Sequence, residues 1–127
     1  MRVYRDAELI FRSGERGLTP LVDYIARFVP GDIKEVLVLD RVVGNAAALL
    51  LKIALCTHVR SFVGSELAAQ TLESLGIQYH FLNKVPRILN RRSDDVCLLE
   101  KLSLGKTAEE FYQIVQIRER KHEFDSV

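Results

Sequence analysis

Cys97 and Glu100 stand three residues apart, a spacing that places two side chains on one face of a helix. A thiol and a carboxylate so placed could act as nucleophile and general base. The arginines of the preceding polar loop would lower the pKa of a nearby thiol. A buried structural Cys97 and a Glu100 paired with Arg91 or Lys101 are the alternatives, because no histidine completes a recognisable motif. We therefore name Cys97 and Glu100 as candidate catalytic residues.

A second group of polar residues marks the end of an apolar run. Residues Glu35 to Leu39 are typical of a buried strand, and Asp40 follows them directly. After Gly44 and Asn45 comes an alanine-rich helix to Leu55. A strand that leads straight into a helix leaves unpaired N–H groups at one spot, where anions and polar ligands bind. Asp40 could contact such a ligand or only cap the turn.

The same strand-to-helix arrangement occurs again further along the chain. Residues 57–63 are strand-like, and Ser65 is a good N-cap for a helix from Glu66 to Leu75. If the two strands lie parallel, both helices begin at the same edge of the sheet, where ligands bind in open α/β folds. Ser65 and Glu66 also have plain structural roles at a helix N-terminus. The predicted ligand-binding residues are Asp40, Gly44, Asn45, Ser65, Glu66, Asn90, Arg91 and Arg16, the last reaching over from the loop 13–17.

The remaining segments supply the elements that would position these residues. Two short β-rich runs around Asp6-Ala7 predict a hairpin, and Thr19-Pro20 predicts a helix that ends near Phe28. Residues 77–82 predict a further strand and residues 85–89 a short helical turn. Thr107 and Glu110 form a capping box for the last helix. This alternation predicts an α/β fold, a three-layer α/β/α sandwich with a mixed sheet and helices on both faces, in one domain spanning residues 1–127.

Composition narrows the classes of partner. The 127 residues carry 18 Lys and Arg against 17 Asp and Glu, without a dense basic stripe before the C-terminal end, so we expect no nucleic-acid partner. The longest apolar run is too short to cross a bilayer and no signal-peptide pattern is present, so we expect no membrane partner and a cytoplasmic location. Cys56 and Cys97 are expected to be free thiols.

Five short strings give the chain a resemblance to a known group. They are Arg16 to Leu21, Asp40 to Gly44, Ser65 to Ala68, Asn90-Arg91 and Cys97 to Glu100. In this order and spacing the chain resembles a family of small uncharacterised prokaryotic proteins grouped with the cytidine deaminase-like fold. The resemblance covers nearly the whole chain and implies a hairpin followed by helix–strand units on a mixed sheet. It implies no activity, because the family has no known function.

Zinc deaminases require His-x-Glu or Cys-x-Glu at the start of one helix and Pro-Cys-x-x-Cys at the start of the next. Here the two helix starts are Gly44 to Ala47 and Gly64 to Ala68, and neither contains a thiol or an imidazole. Zinc cannot be held without such ligands. We therefore predict no metal, no cofactor and no zinc-dependent deamination.

The sequence leaves three hypotheses for function. The first is a zinc-free deaminase-like domain that binds a small polar or anionic metabolite, including nucleotide-like ones, near Gly44 and Ser65. The second is a thiol-dependent enzyme that uses Cys97. The third is a regulatory or structural module that acts through a homodimer or another partner surface.

Overall fold

A computed structural model describes residues 1–89 and 97–125, without the side chains from residue 120 onward. The strands are β1 (Arg2–Arg5), β2 (Glu8–Arg12), β3 (Val36–Val43), β4 (Cys56–Ser65) and β5 (Gln78–Val85). The helices are α1 (Thr19–Phe28), α2 (Asn45–Ile53), α3 (Glu66–Ser74), α4 (Leu98–Ser103) and α5 (Ala108–Asp125), and a 3₁₀ turn spans Val29–Gly31.

The five strands form one mixed sheet in the order β2-β1-β3-β4-β5. The hairpin of β1 and β2 is antiparallel, and β1 also pairs antiparallel with β3. Strands β3, β4 and β5 are parallel to one another. The predicted hairpin and mixed sheet are therefore confirmed. Asp6 and Ala7 form the hairpin turn with positive φ angles of 50° and 66°, although neither residue is glycine.

The helices lie on one face of the sheet. Three connections, from β2 to β3, from β3 to β4 and from β4 to β5, each join two parallel strands, and all three advance across the sheet in the same direction. Such connections are right-handed, so their helices α1, α2 and α3 lie on the same side of the sheet. Helix α5 packs on the outside of α2, and the Lys52 ammonium lies 3.2 Å from a Glu109 carboxylate oxygen. The prediction of helices on both faces is wrong for the part of the chain that is described. The layers are the sheet, the three inner helices and the outer α5.

This arrangement makes α2 the centre of the core. All seven residues from Asn45 to Leu51 are buried, since the sheet covers one side of α2 and helices α1, α3, α4 and α5 contact the others. A helix that is apolar all round is typical of a buried position. Phe11 of β2 closes the far end of the core against the rings of Tyr24 and Phe28.

Two local predictions need correction. Strand β3 does not end at Leu39 but continues through Asp40 to Val43, because β4 extends in parallel beside it and supplies hydrogen-bonding partners as far as Gly64. Residues 85–89 are not helical, since Val85 completes β5 and no helix follows among residues 86–89. No helix in the described ranges is long and apolar enough to cross a bilayer.

Candidate functional site

A cavity of about 530 Å³ opens at the carboxyl end of β3. Its lining residues come from loop 13–18 before α1, the end of β3, the start of α2 and the segment around α4. Five predicted site residues lie in its lining: Arg16, Asp40, Gly44, Cys97 and Glu100. They come from three separate segments of the chain, so only folding brings these segments together. We call this space the β3 cavity.

Glu100 occupies the N-terminus of α2. Its two carboxylate oxygens accept hydrogen bonds from the backbone N–H groups of Asn45 and Ala46, at 2.9 and 2.8 Å. The Glu100 side chain is buried, with a relative exposure of 8 %. A carboxylate on the first amides of a helix satisfies two unpaired donors and interacts favourably with the helix dipole. The helix start at which the sequence predicts a bound anion therefore carries a carboxylate of the protein itself.

Gly44 is required by this contact. A Cβ atom at position 44 would lie 2.5 Å from the carboxyl carbon of Glu100 and 2.5 and 2.6 Å from its two oxygens. The backbone of Gly44 is extended (φ −97°, ψ −173°), so conformational freedom is not the reason for glycine. Glycine is needed here because the carboxylate lies directly against the backbone.

Asn45 points away from the β3 cavity. Its side-chain amide donates hydrogen bonds to the Ser103 hydroxyl (2.9 Å) and to the Ser103 carbonyl (3.4 Å), and its oxygen accepts one from the Thr71 hydroxyl. The Ser103 hydroxyl in turn donates to the Glu100 carbonyl. This buried network joins α2, α3 and α4, so the side chain of Asn45 has a structural role. The sequence reasoning missed Ser103 and Thr71, because no local pattern distinguishes them from solvent-exposed helix residues.

Ser65 and Glu66 do not line the cavity. The Ser65 hydroxyl accepts the N–H of Ala68 at 3.0 Å, which confirms the predicted N-cap of α3. Glu66 is exposed in the first turn of that helix. The helix start that shares the cavity with Gly44 is that of α1 and not that of α3. Asn90 and Arg91 lie outside the described residues.

Asp40 lies in β3 at the cavity wall. One of its carboxylate oxygens accepts the N–H of Arg41 at 2.8 Å. Burial raises the pKa of Asp40 above its ordinary value, and the hydrogen bond from Arg41 opposes this only in part. Asp40 is therefore a carboxyl group whose proton is held more firmly than that of an exposed aspartate.

The two cysteines are free thiols, as predicted, and have different surroundings. Cys97 is half-buried at the start of α4 and lines the β3 cavity. Cys56 is buried at the start of β4, where its thiol donates to the carbonyl of His58, and burial raises its pKa to about 12. Cys56 is therefore unreactive in the folded protein.

The described residues contain no group of three or more His, Cys, Asp or Glu side chains that could hold a metal ion. Asp40, Cys97 and Glu100 all line the β3 cavity, but they do not form such a group. Within the described residues, the side chains therefore do not fit the zinc centre of a deaminase.

Comparisons with known proteins place the chain in a family. A search of curated proteins finds no match. Among solved structures, the chain is similar to the crystal structure of a DUF1893 family protein, TM1506, from Thermotoga maritima. The two share 32 % sequence identity and a TM-score of 0.83, over 92 % of this chain and 78 % of that one. The profile of the family, described as a domain of unknown function, matches residues 2–118. The chain belongs to the DUF1893 family.

Proposed function

We propose that this protein binds a small polar metabolite in the β3 cavity. The observation that carries the proposal is the convergence of Arg16, Asp40, Cys97 and Glu100 on one space of about 530 Å³. This volume lies within the range of about 300–1,000 Å³ that is typical of small-molecule sites. The cavity also lies beyond the carboxyl end of a parallel strand, where ligands bind in α/β folds.

The occupied helix end constrains the ligand. Because Glu100 already accepts the amides of Asn45 and Ala46, these two donors are not available to an anionic group of the ligand. Asp40 and the carboxylate of Glu100 favour ligand groups that donate hydrogen bonds, such as amines, amides or hydroxyls. Arg16 and Arg41 are exposed at the cavity and favour an anionic group toward solvent. A nucleotide-like molecule combines both kinds of group.

A zinc-free deaminase-like fold is part of this proposal. The support is the antiparallel hairpin followed by β3, β4 and β5 in parallel, with α2 and α3 each starting where a strand ends. The helix starts at Gly44 and Ser65 contain no thiol or imidazole that could serve as a zinc ligand, as the corresponding residues of a deaminase do. Elemental analysis of purified protein tests this part, since one zinc per chain would overturn it.

Calorimetric titration with nucleosides, nucleotides, amino acids and carboxylates tests the binding proposal. We expect at least one of these compounds to bind saturably, with an affinity that falls at least about tenfold in Arg16→Ala and in Asp40→Asn. A loss of this size corresponds to the loss of one charge-assisted contact. Glu66→Ala is the matched control, because Glu66 is exposed on α3 outside the cavity and its loss should leave the affinity unchanged. A ligand whose affinity is insensitive to both cavity variants would refute the location of the site.

Thiol chemistry at Cys97 is the second candidate function. It is favoured by the position of Cys97 in the same cavity as Asp40, a potential proton acceptor. Iodoacetamide labelling with mass spectrometry tests it, and Cys56 serves as the internal control because its pKa of about 12 suppresses the thiolate. We expect Cys97 to label faster than Cys56 and the bound ligand to protect it. Equal, slow labelling of both thiols would exclude this function.

A further inference from the structure

The face of the sheet opposite the helices is bare in the part of the chain that the structure describes. Val3, Val38 and Val59 are paired across neighbouring strands and are fully buried under the helices. Because side chains alternate along a strand, the neighbouring rows point to the other side. One row crosses all five strands and consists of Arg12, Arg2, Leu39, Arg60 and His80, and the next consists of Tyr4, Leu37, His58 and Gln78. We call this surface the outer face.

The outer face is cationic. Its two rows contain three arginines and two histidines but no carboxylate. Arg2, Arg12 and Arg60 are exposed, and none forms an ion pair with another residue in the described ranges. Glu73, which lines a shallow depression together with Arg60 and His80, lies on α3 and accepts the hydroxyl of Tyr79. Although the net charge of the whole chain is only +1, the charge is unevenly distributed, and the outer face is more positive than the rest of the molecule.

Two arginines of this row face each other directly. Arg2 and Arg12 are cross-strand partners in the hairpin. Like charges in this position destabilise a strand pair, and nothing on the described surface neutralises them. An anion bound over the hairpin would remove the repulsion.

The outer face also exposes flat and apolar groups. Phe62 of β4 and Leu82 of β5 lie beyond the two rows on the same side and have relative exposures of 61 % and 62 %. Tyr4 and His58 add two partly exposed rings on β1 and β4. Rings that project from an open β-sheet between cationic side chains are the means by which several sheet proteins stack nucleobases.

We propose that the outer face binds single-stranded nucleic acid, with Arg2, Arg12 and Arg60 on phosphates and Phe62 stacked on a base. A second copy of this chain is disfavoured as the occupant, because a two-fold contact places the same cationic surface on both sides. An acidic peptide would satisfy the arginines but gives no reason for the exposed rings. This proposal replaces the expectation of no nucleic-acid partner, which rested on the net charge and on the lack of a dense basic stripe along the sequence. It is independent of the β3 cavity.

Fluorescence anisotropy with a labelled single-stranded RNA of about twelve nucleotides, and with DNA of the same sequence, tests the proposal. Three phosphate contacts predict a slope of about −2 for log affinity against log salt, or about a 15-fold loss between about 50 and 200 mM salt. Phe62→Ala should weaken binding about tenfold and leave the salt slope unchanged, whereas Phe62→Tyr should retain affinity. The triple variant of Arg2, Arg12 and Arg60 to Ala should remove most of the binding and flatten the slope.

The controls lie on the helical side of the molecule. Three exposed cations lie there: Arg27, Lys106 and Arg118. Replacing all three with Ala removes the same charge as the triple variant of the outer face. Ile117→Ala is the control for Phe62→Ala, because Ile117 is also a large, exposed apolar residue. Every substituted residue is exposed, and melting temperatures near that of the parent would confirm intact folding. The proposal is overturned if no binding occurs near 50 mM salt, or if the control triple variant weakens binding as much as the outer-face triple variant. It is equally overturned if polyglutamate competes as well as RNA, or if sedimentation shows a dimer in which Phe62 is protected.

Discussion

Gly44→Ala is the sharpest test of how the β3 cavity is built. The new Cβ would lie 2.5 Å from the Glu100 carboxyl group, so the carboxylate must withdraw and the N–H groups of Asn45 and Ala46 lose their acceptor. Each hydrogen bond to a charged group contributes about 1.5–3 kcal/mol, and water at the cavity replaces part of this loss. We expect the free energy of unfolding to fall by about 2–4 kcal/mol.

Urea denaturation followed by circular dichroism measures this change. A double-mutant cycle with Glu100→Ala isolates its cause, since Glu100→Ala removes the three atoms that lie nearest to the new Cβ at position 44. In that background Gly44→Ala should be neutral or stabilising by up to about 1 kcal/mol, because alanine restricts the unfolded chain. The extended backbone at Gly44 accepts alanine without strain.

Gly14→Ala is the matched control, because a Cβ at Gly14 meets nothing within 4 Å and should change stability little. A cost of less than about 0.5 kcal/mol for Gly44→Ala would contradict the reasoning. So would an equal cost in the presence and absence of the Glu100 side chain. Either result would mean that the carboxylate does not constrain residue 44.

Three further predictions follow from buried or strained groups. Burial raises the pKa of Asp40, so the native state binds the Asp40 proton more tightly than the unfolded state does. Asp40 therefore lowers the free energy of unfolding as the pH rises from the ordinary pKa of aspartate through the native pKa. Asp40→Asn should raise the melting temperature relative to the parent at pH 7 and should not do so at pH 3. The Tyr24 hydroxyl is buried without a hydrogen-bond partner in the described structure. Tyr24→Phe should therefore raise the free energy of unfolding, measured by urea denaturation, by about 1 kcal/mol. A lower free energy of unfolding would instead reveal a hydrogen bond to that hydroxyl. Ala7 has a φ of 66° in the hairpin turn, so Ala7→Gly should stabilise by about 1 kcal/mol in thermal melts; a destabilised variant would contradict strain at that turn.

The local elements were largely predictable from sequence. The capping box is present as predicted, with hydrogen bonds from the Thr107 N–H to the Glu110 carboxylate (2.9 Å) and from the Glu110 N–H to the Thr107 hydroxyl (3.1 Å). The hairpin, the helix starts after Gly44 and Ser65, and the stop at Pro30-Gly31 were equally predictable. Such signals act within a few residues, so they do not depend on where the rest of the chain lies.

The site was predictable only in part. Asp40, Gly44 and Arg16 could be nominated because each stands at the end of an element, and the structure places all three at the β3 cavity. Ser65 does not line the cavity, although α2 and α3 follow adjacent parallel strands and pack against each other. Ser65 serves α3 alone, and loop 13–18 lines the cavity instead.

By itself, the sequence determined where most of the strands and helices lie and that Gly44 begins the central helix, since propensity, caps and apolar periodicity are local properties. The end of β3 was not among these, because pairing with β4 carries that strand on to Val43. Only the tertiary structure decided what the N-terminus of that helix binds. Glu100 lies more than fifty residues away along the chain, and α4 carries its carboxylate onto the amides of Asn45 and Ala46. Among the described residues, strand order likewise left one sheet face open and concentrated on it cations that the net charge conceals. Both outcomes depend on contacts between distant segments, which no local pattern specifies.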